Sequence, residues 1–483
     1  MCIRDSDEGV AFRYVIPNGG GIGDIEIERE LTSFTFSSNC FGYAEYGTEG
    51  EYRLRALKDI KGKCELPLLI ENKEKQRYCL LCQADLFDYA RGFVRVDPQD
   101  PNKLNLVLAN SVIGDLPFRT PWRVIRASED PGYLLESSYI MYNLAEPCAL
   151  SDTSWIKPGK VMRVLPVTTQ AAKNVIDFAS ENGIQYAELD TGWYGNERDP
   201  NADARTYLPQ VNVEQIINYG SKKGVGLILY VNRIHLRKQI DQILPIYRRW
   251  GVSGLKFGFV DGRTQRGIQN VHSWVKKAAE HRSIVDIHDN YRPTGLSFTF
   301  PNLLTQEGIR GNEHMPTSRH NAILPFTRFV VGAGDYTFCY LYPRLKTTSA
   351  HQLALSVIFF SPLQFVYWYG RPESYRNCLG RLFFRELPTT WDETKALISK
   401  IGRCVAVARR KGERYFLGVI TNEEKRQVKI PLSFLGKGSW RGTIFTDHPK
   451  KELSIIEKTV DSSSILSQVL QPNGGLAAYF EKK

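Results

Sequence analysis

A chain of 483 residues with 42% hydrophobic and 24% charged residues can bury more than one core, so about two to four domains are expected and burial does not limit stability. Its formal charge of +11 is scattered among 52 acidic residues with no long basic run or nucleic-acid-binding motif, which argues against a nucleic-acid partner. No stretch of about 18 apolar residues is present, which argues against a membrane-spanning helix, and nine cysteines without a repeating framework argue against a disulfide-dependent fold.

In chain order, Met1–Ser6 (MCIRDS) lacks the apolar core of an export signal and runs abruptly into GVAFRYVIP, which reads as an interior strand, so a truncated start is expected. From residue 7 to 116 short alternating runs such as AFRYVI, SFTFSS and RGFVRV are broken by Gly, Asn and Pro, the pattern of an all-β domain. The Gly-rich Asn18–Asp24 has no helix after it and no closing Lys-Ser/Thr, so it reads as a hairpin loop rather than a phosphate cradle. Cys79 and Cys82 form a CxxC inside an apolar run, with no second pair to complete a zinc site, and read as two thiols on a strand.

From 117 to 385 apolar strands alternate with helix-period segments, as in a parallel sheet with crossover helices. The helices AAKNVIDFASENG, VEQIINYGSKKG, HLRKQIDQILPIYRRWG and IQNVHSWVKKAAEHR alternate with the strands IQYAELD, VGLILYVN, GLKFGFVD and SIVDIHD. No dinucleotide fingerprint follows the first strand, which favours a (β/α)₈ barrel over a doubly wound sheet. Alternating runs return from 386 to 483, as expected for a C-terminal β-sandwich.

Asp190, Asn232, Asp261, His288 and Asp289 fall at or just past the carboxyl ends of the barrel strands, where barrel enzymes place their chemistry. Asp286, His288 and Asp289, with Glu307 and Glu313 in TQEGIRGNEH, form the densest acidic group. Glycoside hydrolysis requires such a set, one carboxylic acid to protonate the leaving oxygen and one carboxylate to attack or to activate water. A hard cation such as calcium takes several oxygen ligands of the same kind. Helix caps and solvated loop charges are the plainer alternative. His235 and His272 read as surface or packing residues, and Trp193 as either a sugar platform or rim packing. No HExxH or GxSxG motif is present, against protease and esterase readings.

GVAFRYVIP, FRTPWRVI, SDTSWIKPGK, LDTGWYG, GLKFGFVD, RPTGLSFTFPNLLTQEGIRGNEH, LPFTR, AHQLALS, LPTTWDET and VARRKG occur in an order that resembles glycoside hydrolase family 97 along nearly the whole chain. The resemblance implies a β-supersandwich, a (β/α)₈ barrel and a β-sandwich in that order, calcium as cofactor, and a glycoside or oligosaccharide as substrate. It implies that Glu313 is the general acid and that Asp289, Glu307 and Glu313 hold calcium. Gln83 stands where the family's N-terminal domain usually supplies a metal-binding Glu, so it is expected as a further, uncharged ligand. Lys256 and His288 are expected on sugar hydroxyls, and export to the periplasm or beyond is implied.

The resemblance also bears on stereochemistry. Retaining members carry a nucleophilic Asp where this chain has Gly258, and Gly where it has Asp289. The double exchange implies an inverting site of the α-glucosidase type, with Asp289 as general base and Asp190 sharing that role. An α-galactosidase or other exo-α-glycosidase, and a sugar-binding pseudoenzyme, stay open as alternatives.

Overall fold

The computed structural model describes every residue except Gly20 and Ile22. Its centre is a ring of parallel strands in the order Leu303–Gln306, Ile284–Asp289, Gly254–Val260, Gly226–Asn232, Tyr186–Leu189, Gly159–Arg163 and Leu363–Phe365. An irregular segment, 335–339, closes the gap between the first and last of these. Asp335 N–H donates to Gln306 O at 3.1 Å on one side, and Phe338 N–H donates to Phe365 O at 3.3 Å on the other. The barrel is therefore seven regular strands and an eighth, non-ideal stave.

The helices read from the sequence cover the outside of the ring, each held by a named cap. Thr168 caps Thr169–Glu181, Asn212 caps Val213–Ser221, Asn232 caps Arg233–Trp250 and Thr264 caps Gln265–Glu280, each side chain accepting a backbone N–H of the first turn. Gly251 ends the third of these helices with φ +90°, a conformation that glycine adopts without strain. The strands between the helices are buried on both faces, which is why they read as unbroken apolar runs.

The N-terminal domain is antiparallel, with a seven-stranded sheet from Cys2–Ser6 at one edge to Arg53–Ala56 at the other and a second sheet of three strands against it. Trp122–Ser128 inserts between Gly9–Arg13 and Arg77–Ala84 in the larger sheet, so this domain continues past the expected boundary at 116. The strands flanking Asn18–Asp24 pair with Phe118–Arg119 and Val112–Asp115 rather than with each other, so the segment is a crossing loop and not a hairpin; Gly20 and Ile22 within it lie outside the described residues. Cys79 and Cys82 lie on the strand Arg77–Ala84 at an odd spacing, which sends them to opposite faces. The C-terminal domain is a six-stranded antiparallel sheet with a two-stranded ladder, beginning at Glu393–Lys400. Among the described residues no helix is long and apolar enough to cross a membrane.

Candidate active site

A cavity of about 440 Å³ opens at the carboxyl end of the barrel strands. Its floor is polar and buried, with Lys256 2%, Asp190 4% and His288 6% exposed. A larger cavity of about 770 Å³, beside Phe87 and Lys276 on the outer wall, gathers no comparable set of groups among the described residues.

The site grows from strand register. Tyr230, Lys256, Asp286 and Thr305 are successive partners across four strands, so their side chains share the face of the sheet that turns to the barrel axis. Further along, the ladder between Gly254–Val260 and Ile284–Asp289 slips, and both Phe259 (φ +55°) and Asp289 (φ +70°) adopt left-handed conformations. Non-glycine residues held there at a strand end mark a site where geometry outweighs local strain. The slip lets Phe259 N–H donate to Asp289 Oδ2 at 2.5 Å, fixing that carboxylate at the cavity wall.

His288 is the electrostatic hub. Its Nε2 lies 2.8 Å from Asp335 and 3.3 Å from Asp286, and its Nδ1 3.1 Å from Glu307. Burial opposes its protonation, but Glu307 and Asp286 outweigh burial and hold the imidazole well above its usual range. Glu307 Oε2 also accepts Asp289 N–H at 2.8 Å. Asp190 is bracketed by Arg163 Nε at 3.0 Å and Lys256 Nζ at 3.5 Å. Burial alone would raise its pKa; the two cations bring it below the ordinary carboxylate value. Glu313 Oε1 accepts from Trp368 Nε1 at 2.9 Å and from Tyr369 OH at 3.5 Å. Trp368 in turn lies under Lys256, whose ammonium is 3.8 Å from the ring centroid.

Three family profiles match in sequence: glycosyl-hydrolase 97 N-terminal over residues 1–147, glycoside hydrolase 97 over 157–309, and glycosyl-hydrolase 97 C-terminal, oligomerisation, over 390–481. A family 97 enzyme from Pseudoalteromonas sp. strain K8 solved with acarbose superposes with TM-score 0.91 at 27% identity, over 98% of this chain and 84% of that one. The chain belongs to glycoside hydrolase family 97. A glutamate-to-glutamine variant of a family 97 enzyme from the same strain, in complex with panose, gives TM-score 0.91 at 26% identity, again over 98% and 84% of the two chains. A retaining alpha-galactosidase of Bacteroides thetaiotaomicron is 28% identical over 98% of this chain and 82% of its own length.

The fold of this family 97 glycoside hydrolase brings Asp190, Lys256, His288, Asp289, Glu307 and Glu313 to one cavity. It does not bring Gln83 or Trp193. Gln83 is buried inside the N-terminal domain, its Oε1 accepting from Gly92 N–H and Arg123 Nη1, each at 3.1 Å. The carboxylate that this domain sends to the cavity is Glu49, from the loop YGTEGEY, so the expected loss of a ligand charge at Gln83 falls away. Trp193 is fully buried, donates its indole N–H to Tyr230 O at 2.7 Å and packs on Tyr194 and Tyr247; it braces the strand behind the site instead of facing a sugar. Asn232 and Asp261 are helix and turn caps, and His235 is a core residue bonded to Tyr194 and Asp199 O.

Glu49, Arg163, Tyr230, Phe259, Trp368 and Tyr369 also line the cavity. Of these, Arg163 carried a usable signal, a charge at the end of an apolar strand. Glu49 and Trp368 did not, because their approach depends on chain crossings far apart in sequence. Oxygen donors of Glu49, Asp289 and Glu307 lie within 4.8 Å of one another, and so do donor atoms of His288, Glu307 and Glu313. Burial, then the charges of Glu307 and Asp289, push Glu49 up to about 8, the mark of gathered carboxylates with too little positive charge among them. Such a donor set fits a hard divalent cation.

Proposed function

We propose that the chain removes terminal α-linked sugars with inversion, as an α-glucosidase-type exo-glycosidase, with Glu313 as general acid and Asp289 as general base. The observation that carries the stereochemical half of this reading is the space around Gly258. A β-carbon there would lie 2.1 to 2.3 Å from the ring edge and hydroxyl of Tyr230. Gly258 is not among the glycines of positive φ, so its conformation does not call for glycine; the Tyr230 ring does. The place that the family resemblance gives to a retaining nucleophile is thus taken up by an aromatic ring, while the next strand end presents Asp289 at the cavity.

In this reading Glu313, oriented by Trp368, gives its proton to the glycosidic oxygen as the bond from that oxygen to the anomeric carbon breaks. Asp289, steered by the Phe259 N–H, takes a proton from a water that attacks the same carbon from the opposite face. Asp190, ionised between Arg163 and Lys256, is a weak base and is better suited to accept hydrogen bonds from sugar hydroxyls, which Lys256 complements as a donor; His288, expected in the same role, has both ring nitrogens engaged by Asp335 and Glu307 and organises the carboxylates instead. The base role therefore concentrates on Asp289. A calcium ion would be held by Glu49, Asp289, Glu307 and Glu313, and when bound would supply positive charge that polarises and orients the acid and base.

The sugar is the less constrained half. The panose complex of one relative favours a glucoside, whereas the name of the Bacteroides relative favours an α-galactoside and retention. Proton NMR of freshly released sugar from α-glucosides and α-galactosides separates the readings. The β-anomer should appear first, with the rate lost on chelation and restored by calcium; initial α-anomer would overturn inversion. Absence of hydrolysis on both series with calcium present would favour a sugar-binding protein.

A further inference from the structure

Among the described residues, Phe259 is the apolar side chain of the cavity that is markedly open to solvent, with 38% exposure against 2% for Lys256 and Trp368 at the floor. Two features hold its ring at the rim. The backbone is left-handed within the ladder slip, and the guanidinium of Arg198, on the loop after Tyr186–Leu189, stacks over the ring at 5.1 Å from a neighbouring βα loop. Arg198 is itself solvent-exposed and reaches the rim from the other side of the strand Gly226–Asn232.

We infer that Phe259, backed by Arg198, is the platform for the leaving-group sugar, the residue or aglycone on the far side of the bond that is cleaved. This rests on reading the cavity as the site of a glycosidase for terminal sugars. The buried polar floor then takes the terminal ring, and whatever follows it must pass the rim. An aromatic face there covers the C–H face of a sugar and regains the burial that the free ring lacks, while the stacked guanidinium holds the ring in place. Because the N–H of Phe259 orients Asp289, the same residue joins leaving-group recognition to the base. That N–H belongs to the backbone and survives replacement of the side chain, so the two contributions can be separated.

The test compares a disaccharide with the corresponding glycosyl fluoride, whose leaving group is too small to reach the rim. Phe259→Ala should lower kcat/KM on the disaccharide about 10- to 100-fold more than on the fluoride, the extra loss falling mainly on KM. Arg198→Ala should lower the disaccharide value about 2- to 5-fold, and Phe259→Tyr should retain most of it. Equal losses on both substrates would place the effect in Asp289 or in folding and overturn the inference, as would no loss on either. Failure of the wild-type chain on both substrates would overturn the reading beneath it, and the inference with it.

Discussion

The N-terminal domain and the barrel mouth both bury carboxylates, and they treat them in opposite ways. In the N-terminal domain Glu30 receives two bonds from Arg123, at 2.9 and 2.5 Å, with further bonds from Thr32 and Tyr89; Glu65 is paired with Arg91 at 2.9 Å. Burial pushes Glu30 up, but Arg123 brings it below the ordinary value. At the barrel mouth Glu49, Asp289, Glu307 and Glu313 converge with His288 as the cation in their midst, and one layer below them Glu188 is fully buried with no hydrogen bond to either oxygen from the described residues. The same functional group is thus structural where each copy has its own cation, and chemical where several copies share too few. Acids of the first kind tie the segments between strands into the domain; those of the second are arranged for something that arrives from outside.

The contrast predicts which variants lose rate and which lose stability. Glu313→Gln should lower kcat on substrates with poor leaving groups by about 10²- to 10⁴-fold, the range for a general acid, with the thermal midpoint unchanged. Retained activity in a steady-state assay would show that Glu313 is not the acid. Arg123→Ala should do the reverse. It strands Glu30 without its cation, at a cost of about 3 to 5 kcal/mol, so the melting temperature should fall while kcat measured well below it stays near wild type. The double variant Arg123→Met/Glu30→Gln should recover much of the loss in calorimetry; no recovery would mean that the pair is not a self-contained unit.

How far the sequence reached follows the same division. The four central βα units were legible because their strands are apolar on both faces and their helices repeat apolar residues at helical spacing, signals that lie within the segment itself. The eighth stave at 335–339 was not, since its place is fixed by bonds to Gln306 and Phe365 rather than by any period of its own. Trp122–Ser128 fell beyond the expected boundary because its membership of the N-terminal sheet depends on pairing with Gly9–Arg13, more than a hundred residues earlier. In the site, Asp190, His288 and Asp289 were readable because strand ends of a barrel converge by construction, whereas Lys256, inside its strand, came only from the family resemblance. Gln83 and Glu49 were confused because both belong to the N-terminal domain, and only the docking of that domain decides which faces the cavity. Trp193 follows a strand end as a sugar platform would, yet it turns outward to pack on the helix layer at Tyr247.

The comparison is sharpest at Glu188. Asp190, two residues on, is drawn below its usual value by Lys256 and Arg163, whereas Glu188 is pushed up to about 8, first by burial and then by the charge of Asp190. The native state therefore binds a proton on Glu188 more tightly than the unfolded chain does. Stability from this group is fully present below the unfolded value of 4.5 and declines as pH rises toward 8, at no more than about 1.4 kcal/mol per pH unit. Glu188→Gln keeps the shape of the protonated acid and removes the titration. The variant should melt close to wild type at pH 5 and above it at pH 8, with a difference that grows steadily between. A variant that is instead less stable at pH 8 would mean that Glu188 is ionised and paired with Lys256 or Arg163. The barrel floor would then follow the rule of the N-terminal domain, and only the four carboxylates of the mouth would stand as acids gathered for a ligand.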